Sequence, residues 1–228
     1  MKIKFSGVGI VDGRGKFGGS VASRNGSGAY IRNKVTPVFP DTPAQAAVNA
    51  IFADIAQAWR ALSQAQRDAW NEAVSNFEHT DIFADTITPS GFNLHQQLNL
   101  NLASIGLPFI QFPPAPDATQ SLTNLIVELD GPGTSLQVSS TEAIEAGTDF
   151  IIKATAGLSA GISFVKTELK SLVIVDDSDA FPVTFQIPYD AVFGALPAVG
   201  TKVFAEMIGV NNTTGQRGSG IKASVIIT

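Results

Sequence analysis

The chain has 228 residues, 44% of them hydrophobic and 15% charged, with a net charge of −5 and no cysteine. This is too apolar for a wholly disordered chain, and it leaves neither a disulfide scaffold nor a thiolate metal site. No run approaches the ~18 apolar residues of a membrane helix, and MKIKFSGVGIVDGRGKFGG lacks an apolar stretch of signal-peptide length, so a soluble chain without an export address is expected.

Residues 1–40 are basic, with Lys2, Lys4, Arg14, Lys16, Arg24, Arg32 and Lys34 against Asp12 alone, which leaves a net charge of about −11 on the rest. Glycines interrupt the short apolar runs KIKF, VGIV, SVAS and AYIRNKVTPVF, and the prolines of Val35–Pro40 favour extended backbone. The reading is an extended arm with one or two short strands. Such an arm has no core of its own, so it either wraps its own domain or reaches over another subunit. Arg14, Lys16, Arg24, Tyr30, Arg32 and Lys34 are its candidate partner-binding residues.

Residues 41–106 predict a helical domain. Asp41 or Thr42 caps a first helix with Pro43 at its first position. Val48, Ile51, Phe52, Ile55, Trp59 and Leu62 then fall on one face. Ser63 and Gln66 form a capping box that starts a second helix, whose apolar face is Trp70, Val74 and Phe77. Ile55, Trp59, Trp70 and Phe77 are the expected core of this hairpin. A third helix opens at Pro89-Ser90-Gly91 and stops at Gly106 and Pro108.

Residues 107–117 hold four prolines, Pro108, Pro113, Pro114 and Pro116, and read as a semi-rigid linker and domain boundary. From residue 118 the pattern alternates. Expected strands are 125–129, 135–139, 150–154, 163–175, 183–187, 202–210 and 221–227, separated by Gly, Pro, Asn and Asp clusters. About seven short strands in a hundred residues fit an immunoglobulin-like or fibronectin-like sandwich. The fold class is therefore α+β and multidomain: a basic arm, a small helical hairpin or bundle, and a β-sandwich over 118–228.

Motifs for chemistry are weak. Gly13-Arg14-Gly15-Lys16-Phe17-Gly18 matches G-x-G-x-x-G, but no helical pattern follows to face a pyrophosphate, and no acidic residue stands at the expected offset, so a basic arm is preferred to a cofactor loop. His79 and His95, with Glu78, Asp81 and Asp85, match no metal-ligand spacing; they are expected to be a loop histidine and a helix-surface histidine. Asp176-Asp177-Ser178-Asp179 has carboxylates for calcium without the glycine and distal glutamate of a helix-loop-helix site, and reads as a solvated turn. No G-x-S-x-G elbow anchors a nucleophile. The arm's cations are dilute for nucleic acid, so protein contact is favoured. No cofactor, metal or catalytic residue is assigned.

The stretch GGSVASRNGSGAYIRNKVTP, followed by TPAQAAVNAIFADIAQAWRALSQAQRDAWN, resembles the opening of a group of proteins from tailed phages and related elements, in which a glycine-rich basic arm precedes such a hairpin. The likeness covers about the first hundred residues. Phe39 and Asp41 depart from the Asn and Arg common at those positions. It implies a virion component assembled in the host cytoplasm, with other virion proteins (major capsid or neck) and further copies of itself as partners, and no membrane. The expectation is a non-enzymatic structural protein on the head, as a decoration or vertex attachment, docked through its arm. The alternatives are a neck or tail component, or a carbohydrate- or cell-surface-binding module.

Overall fold

The computed structural model describes residues 15–25, 28–36, 38, 42–80, 84–130 and 135–228. These residues build a mixed α and β fold with four α-helices and several antiparallel sheets. The chain divides into two compact units, Met1–Asn49 with Glu78–Thr88, and Ala50–Phe77 with Pro89–Thr228.

In the first unit, β1 (Gly15–Phe17), β2 (Ser20–Asn25) and β3 (Gly28–Asn33) form an antiparallel meander. Phe17 pairs with Ser20 across the two-residue turn Gly18-Gly19. Gly18 has φ +55, which a two-residue hairpin turn requires and glycine adopts without steric cost. The sequence predicts one or two strands here and the described residues form three, because Gly18-Gly19, taken as an interruption, is a turn. The runs KIKF and VGIV lie outside the described residues. A second small pair, β4 (His79–Thr80) and β5 (Thr86–Ile87), is flanked by a hydrogen bond from the Thr88 hydroxyl to Glu78.

Helix α1 (Pro43–Ala61) begins with a reciprocal box in which Gln45 N–H donates to Thr42 Oγ1 and Thr42 N–H to Gln45 Oε1. Helix α2 (Gln64–Ala73) repeats the device with Ser63 and Gln66, then tightens into a 3₁₀ turn over Val74–Phe77. Helix α3 (Gly91–Ser104) is capped by Ser90 and stops at Gly106, whose φ of +77 lets Leu107 N–H reach Leu102 O. At the α2–α3 crossing a Cβ on Gly91 would lie 2.3 Å from Asn71 Oδ1, so only glycine permits this approach.

In the remainder of the second unit lie β6 (Ile126–Leu129), β7 (Leu136–Ser139), β8 (Thr148–Ala154), β9 (Leu158–Ser159), β10 (Lys170–Val175), β11 (Val183–Thr184), helix α4 (Gln186–Phe193), β12 (Thr201–Asn211) and β13 (Ile221–Ile226). One sheet runs β10-β8-β12-β13, with β9 also on β12; the other runs β11-β7-β6. Alternate residues of both sheets meet in one core, including Val127, Leu136, Val138, Phe150, Ile152, Val203, Ala205 and Met207. Each expected strand segment contains a strand, but two are shortened. Only the last six residues of 163–175 pair. The 183–187 segment ends after Thr184, because Pro188 falls in the first turn of α4, where its missing N–H has no intrahelical partner to lose.

The stretch read as a linker, 107–117, is held on both sides. Trp70 Nε1–H donates to Gln111 O at 3.0 Å and Ile110 N–H to Asn99 Oδ1 at 2.7 Å, while Gln216 Nε2 donates to Ala115 O at 3.0 Å. Leu102 and Ile105 of α3 share a core cluster with Ile151 and Val210 of the larger sheet. Helices α2 and α3 and the two sheets of β6–β13 accordingly belong to one compact unit.

The turn at Gly215 fixes that seam. Its φ is +72, and a Cβ there would sit 2.3 Å from Leu98 O, while its own carbonyl accepts from Asn101 Nδ2 at 2.8 Å. Gly215→Ala is expected to cost about 1–3 kcal/mol through left-handed strain and overpacking. Urea unfolding measures it, and an unchanged midpoint would mean that the seam yields freely.

Candidate interaction surfaces

Strand register places the candidate basic residues. Lys16 pairs with Val21 and Val21 with Arg32, so a cation, a valine and a cation form one row across all three strands. Tyr30, opposite Ser23, lies on the same face two residues from Arg32. Ala22, Ala29, Ile31 and Arg24 occupy the opposite face by alternation. Lys34 follows β3 and ties it to the first turn through Lys34 N–H to Gly19 O at 2.7 Å. Arg14 lies outside the described residues. The candidate set therefore divides: Lys16, Tyr30 and Arg32 are brought together, and Arg24 is not. Lys16 and Arg32 are exposed, and no described residue of β2 or β3 is buried.

Of the helical candidates, Trp59, Trp70 and Phe77 sit in a core with Leu62, Leu94 and Leu98, and Ile55 is buried outside that cluster. Trp70 and Ile55 are fully buried, and Trp59 and Phe77 half-buried. Val48 and Phe52, expected on the same covered face, are 48% and 38% exposed.

His95 corrects the reading of a helix-surface residue: it is 1% exposed, with its ring 5.2 Å from Trp59 and 5.1 Å from Trp70. Neither ring nitrogen has a hydrogen-bond partner among the described residues, and burial lowers its pKa from the ordinary 6.5 to about 4. The surface reading failed because α3 is covered on more than one side. Its polar residues Asn99 and Asn101 are buried too, spent on backbone contacts at Ile110 and Gly215.

His79 is exposed, Asp81 lies outside the described residues, and no group of three or more metal-ligating side chains occurs among the described residues. The Asp176–Asp179 turn closes on itself. Ser178 N–H and hydroxyl donate to Asp176 Oδ1, Asp176 N–H donates to Asp179 Oδ2, and Gly147 N–H donates to Asp177 Oδ2. The Ser178 bonds hold the Asp176 carboxyl below its usual range.

Two features escaped the sequence. The outer face of the larger sheet carries a charged row in which Lys153 and Lys222 flank Glu206 at 3.9 and 3.6 Å. A cavity of ≈ 270 Å³ opens among Gly157, Tyr189, Phe193, Pro197 and Thr201; its small residues gave no periodic signal. Gly157 is needed there, since a Cβ would stand 2.7 Å from Pro197 Cβ. Compared with known proteins, the chain matches no family model, no curated protein and no solved structure.

Proposed function

We propose that the chain is a non-enzymatic structural protein of a tailed-phage virion, head-associated as a capsid decoration or vertex attachment. In this reading the basic N-terminal segment docks on the shell, and β6–β13 form an immunoglobulin/fibronectin-like sandwich that projects from it. The phage assignment rests on the resemblance of the arm and hairpin sequence. The observation that supports the projecting module is strand order. Lettered in chain order with the two-residue β9 left out, β11-β7-β6 is E-B-A and β10-β8-β12-β13 is C′-C-F-G, the two-sheet arrangement of such modules. A buried tyrosine, Tyr189 of α4, lies in the E-to-F crossover, and its hydroxyl donates to Thr155 O just past the end of strand C. Burial pushes the Tyr189 hydroxyl up to about 12, with Asp190 adding to the shift, so it stays a donor at neutral pH.

A carbohydrate- or cell-surface-binding module is the second reading, and the aromatic-walled cavity at Tyr189 and Phe193 is the feature in its favour. Mass spectrometry of purified heads separated from tails tests the first reading. The protein is expected with the heads; recovery with tails alone would move it to the tail, and absence from particles would overturn the virion assignment.

A further inference from the structure

We propose that the face of the β1–β2–β3 sheet carrying Lys16, Val21, Tyr30 and Arg32 is an assembly surface whose occupant is the acidic Asp176–Asp179 turn of a second copy of this chain. The register sets two cations 2 strands apart in one row with an apolar centre, and an aromatic ring beside them. Residues 13–40 contain no Asp or Glu, so nothing in that segment neutralises the row. On this face Lys16 and Arg32 are exposed and Val21 and Tyr30 partly exposed, so none of the four is fully buried.

The occupant is identified by charge complementarity. Asp176, Asp177 and Asp179 are exposed, and Asp149 stands close by. The Asp149 carboxyl is pushed up first by its burial and then by the charges of Asp177 and Asp176, against a hydrogen bond from Asn212. The hydrogen bonds these four carboxylates accept come from backbone N–H, Ser178 and Asn212, and among the described residues no Lys or Arg pairs with them. Among the described residues the turn group therefore has no cation against it, and the sheet row has no carboxylate against it. Because the two surfaces differ, the contact is heterologous and repeats from copy to copy, closing a ring where the rotation allows. The inference does not rest on the virion reading, since it concerns the purified protein alone; on a particle it leaves the rest of the basic segment, and not this row, to meet the shell.

Analytical ultracentrifugation of the full chain tests it, in low salt and in ~0.5 M salt, where exposed charges are screened. Concentration-dependent association is expected in low salt and weakening in high salt. K16E/R32E and D176K/D177K are each expected to weaken association at least about tenfold, and mixing the two variants is expected to restore it, since each then meets a surface of opposite charge on the other. Combining all four changes in one chain is expected to restore association, which loss of a merely structural contact would not do. Thermal melts establish that each variant is folded; should the turn variant fail to fold, K16E/R32E alone decides. A monomer at roughly 100 μM in low salt, association unmoved by K16E/R32E, or a folded four-residue swap that stays apart would overturn the proposal. Association that disappears on nuclease treatment would also overturn it, by assigning the face to nucleic acid.

Discussion

Replacing Trp70 with alanine is expected to cost about 3–5 kcal/mol. The side chain is fully buried at the centre of the helical cluster, between Leu62 and the α3 residues Leu94 and Leu98. Truncation opens a cavity that these neighbours are too well packed to fill. It also removes the Nε1–H donor from Gln111 O, so the segment 107–117 loses one of its ties to the helices. Trp70→Phe keeps most of the volume and loses the hydrogen bond, and is expected to fall well below the alanine variant. Urea unfolding of wild type and both variants measures the difference. A cost under about 1 kcal/mol for Trp70→Ala would remove this residue from the core.

Acid should weaken the same cluster through His95. The imidazole is neutral in the fold, with its pKa lowered to about 4 by burial, whereas the unfolded chain titrates near 6.5. As pH falls through 6.5 the unfolded chain takes up a proton that the folded one refuses. Stability is therefore lost between about pH 6.5 and pH 4 and levels below, by at most roughly 3 kcal/mol. The packed elements carry Asp54 and Arg60 on α1 and Arg67, Asp68 and Glu72 on α2, but the shift at His95 comes from burial alone. His95→Phe, apolar and of similar shape, is expected to flatten the stability profile across this window while the wild-type profile slopes. Equal slopes in denaturant titrations at pH 7 and 4.5 would assign the acid sensitivity to other groups.

Much of this architecture is legible in the residues because local signals and burial agree. Ser63 with Gln66 announces the second helix start and that box forms, while at the first start Thr42, one of two expected caps, gains a reciprocal partner in Gln45 that the sequence reading does not include. The alternation over 118–228 locates the strands because each sheet has one face in a shared core. Failures occur where a local signal is ambiguous. Pro188 resembles a strand breaker and is a first-turn residue of α4. Gly18-Gly19 resembles a flexible spacer and is a hairpin turn. The prolines of 107–117 do forbid regular pairing, but they say nothing about Trp70, Asn99 and Gln216, the distant partners that hold the stretch in place. The basic surface was legible as composition only. Which cations share a face depends on register, which the charge pattern does not encode.

The most direct test of the central assignment is to count copies in purified particles produced with the full-length chain or with a chain lacking residues 1–40. The full-length protein is expected in the head fraction at a fixed copy number, with the truncated protein absent from heads and still soluble in the lysate. Full-length protein missing from particles would contradict the virion role, and normal occupancy by the truncated chain would contradict docking through the basic segment.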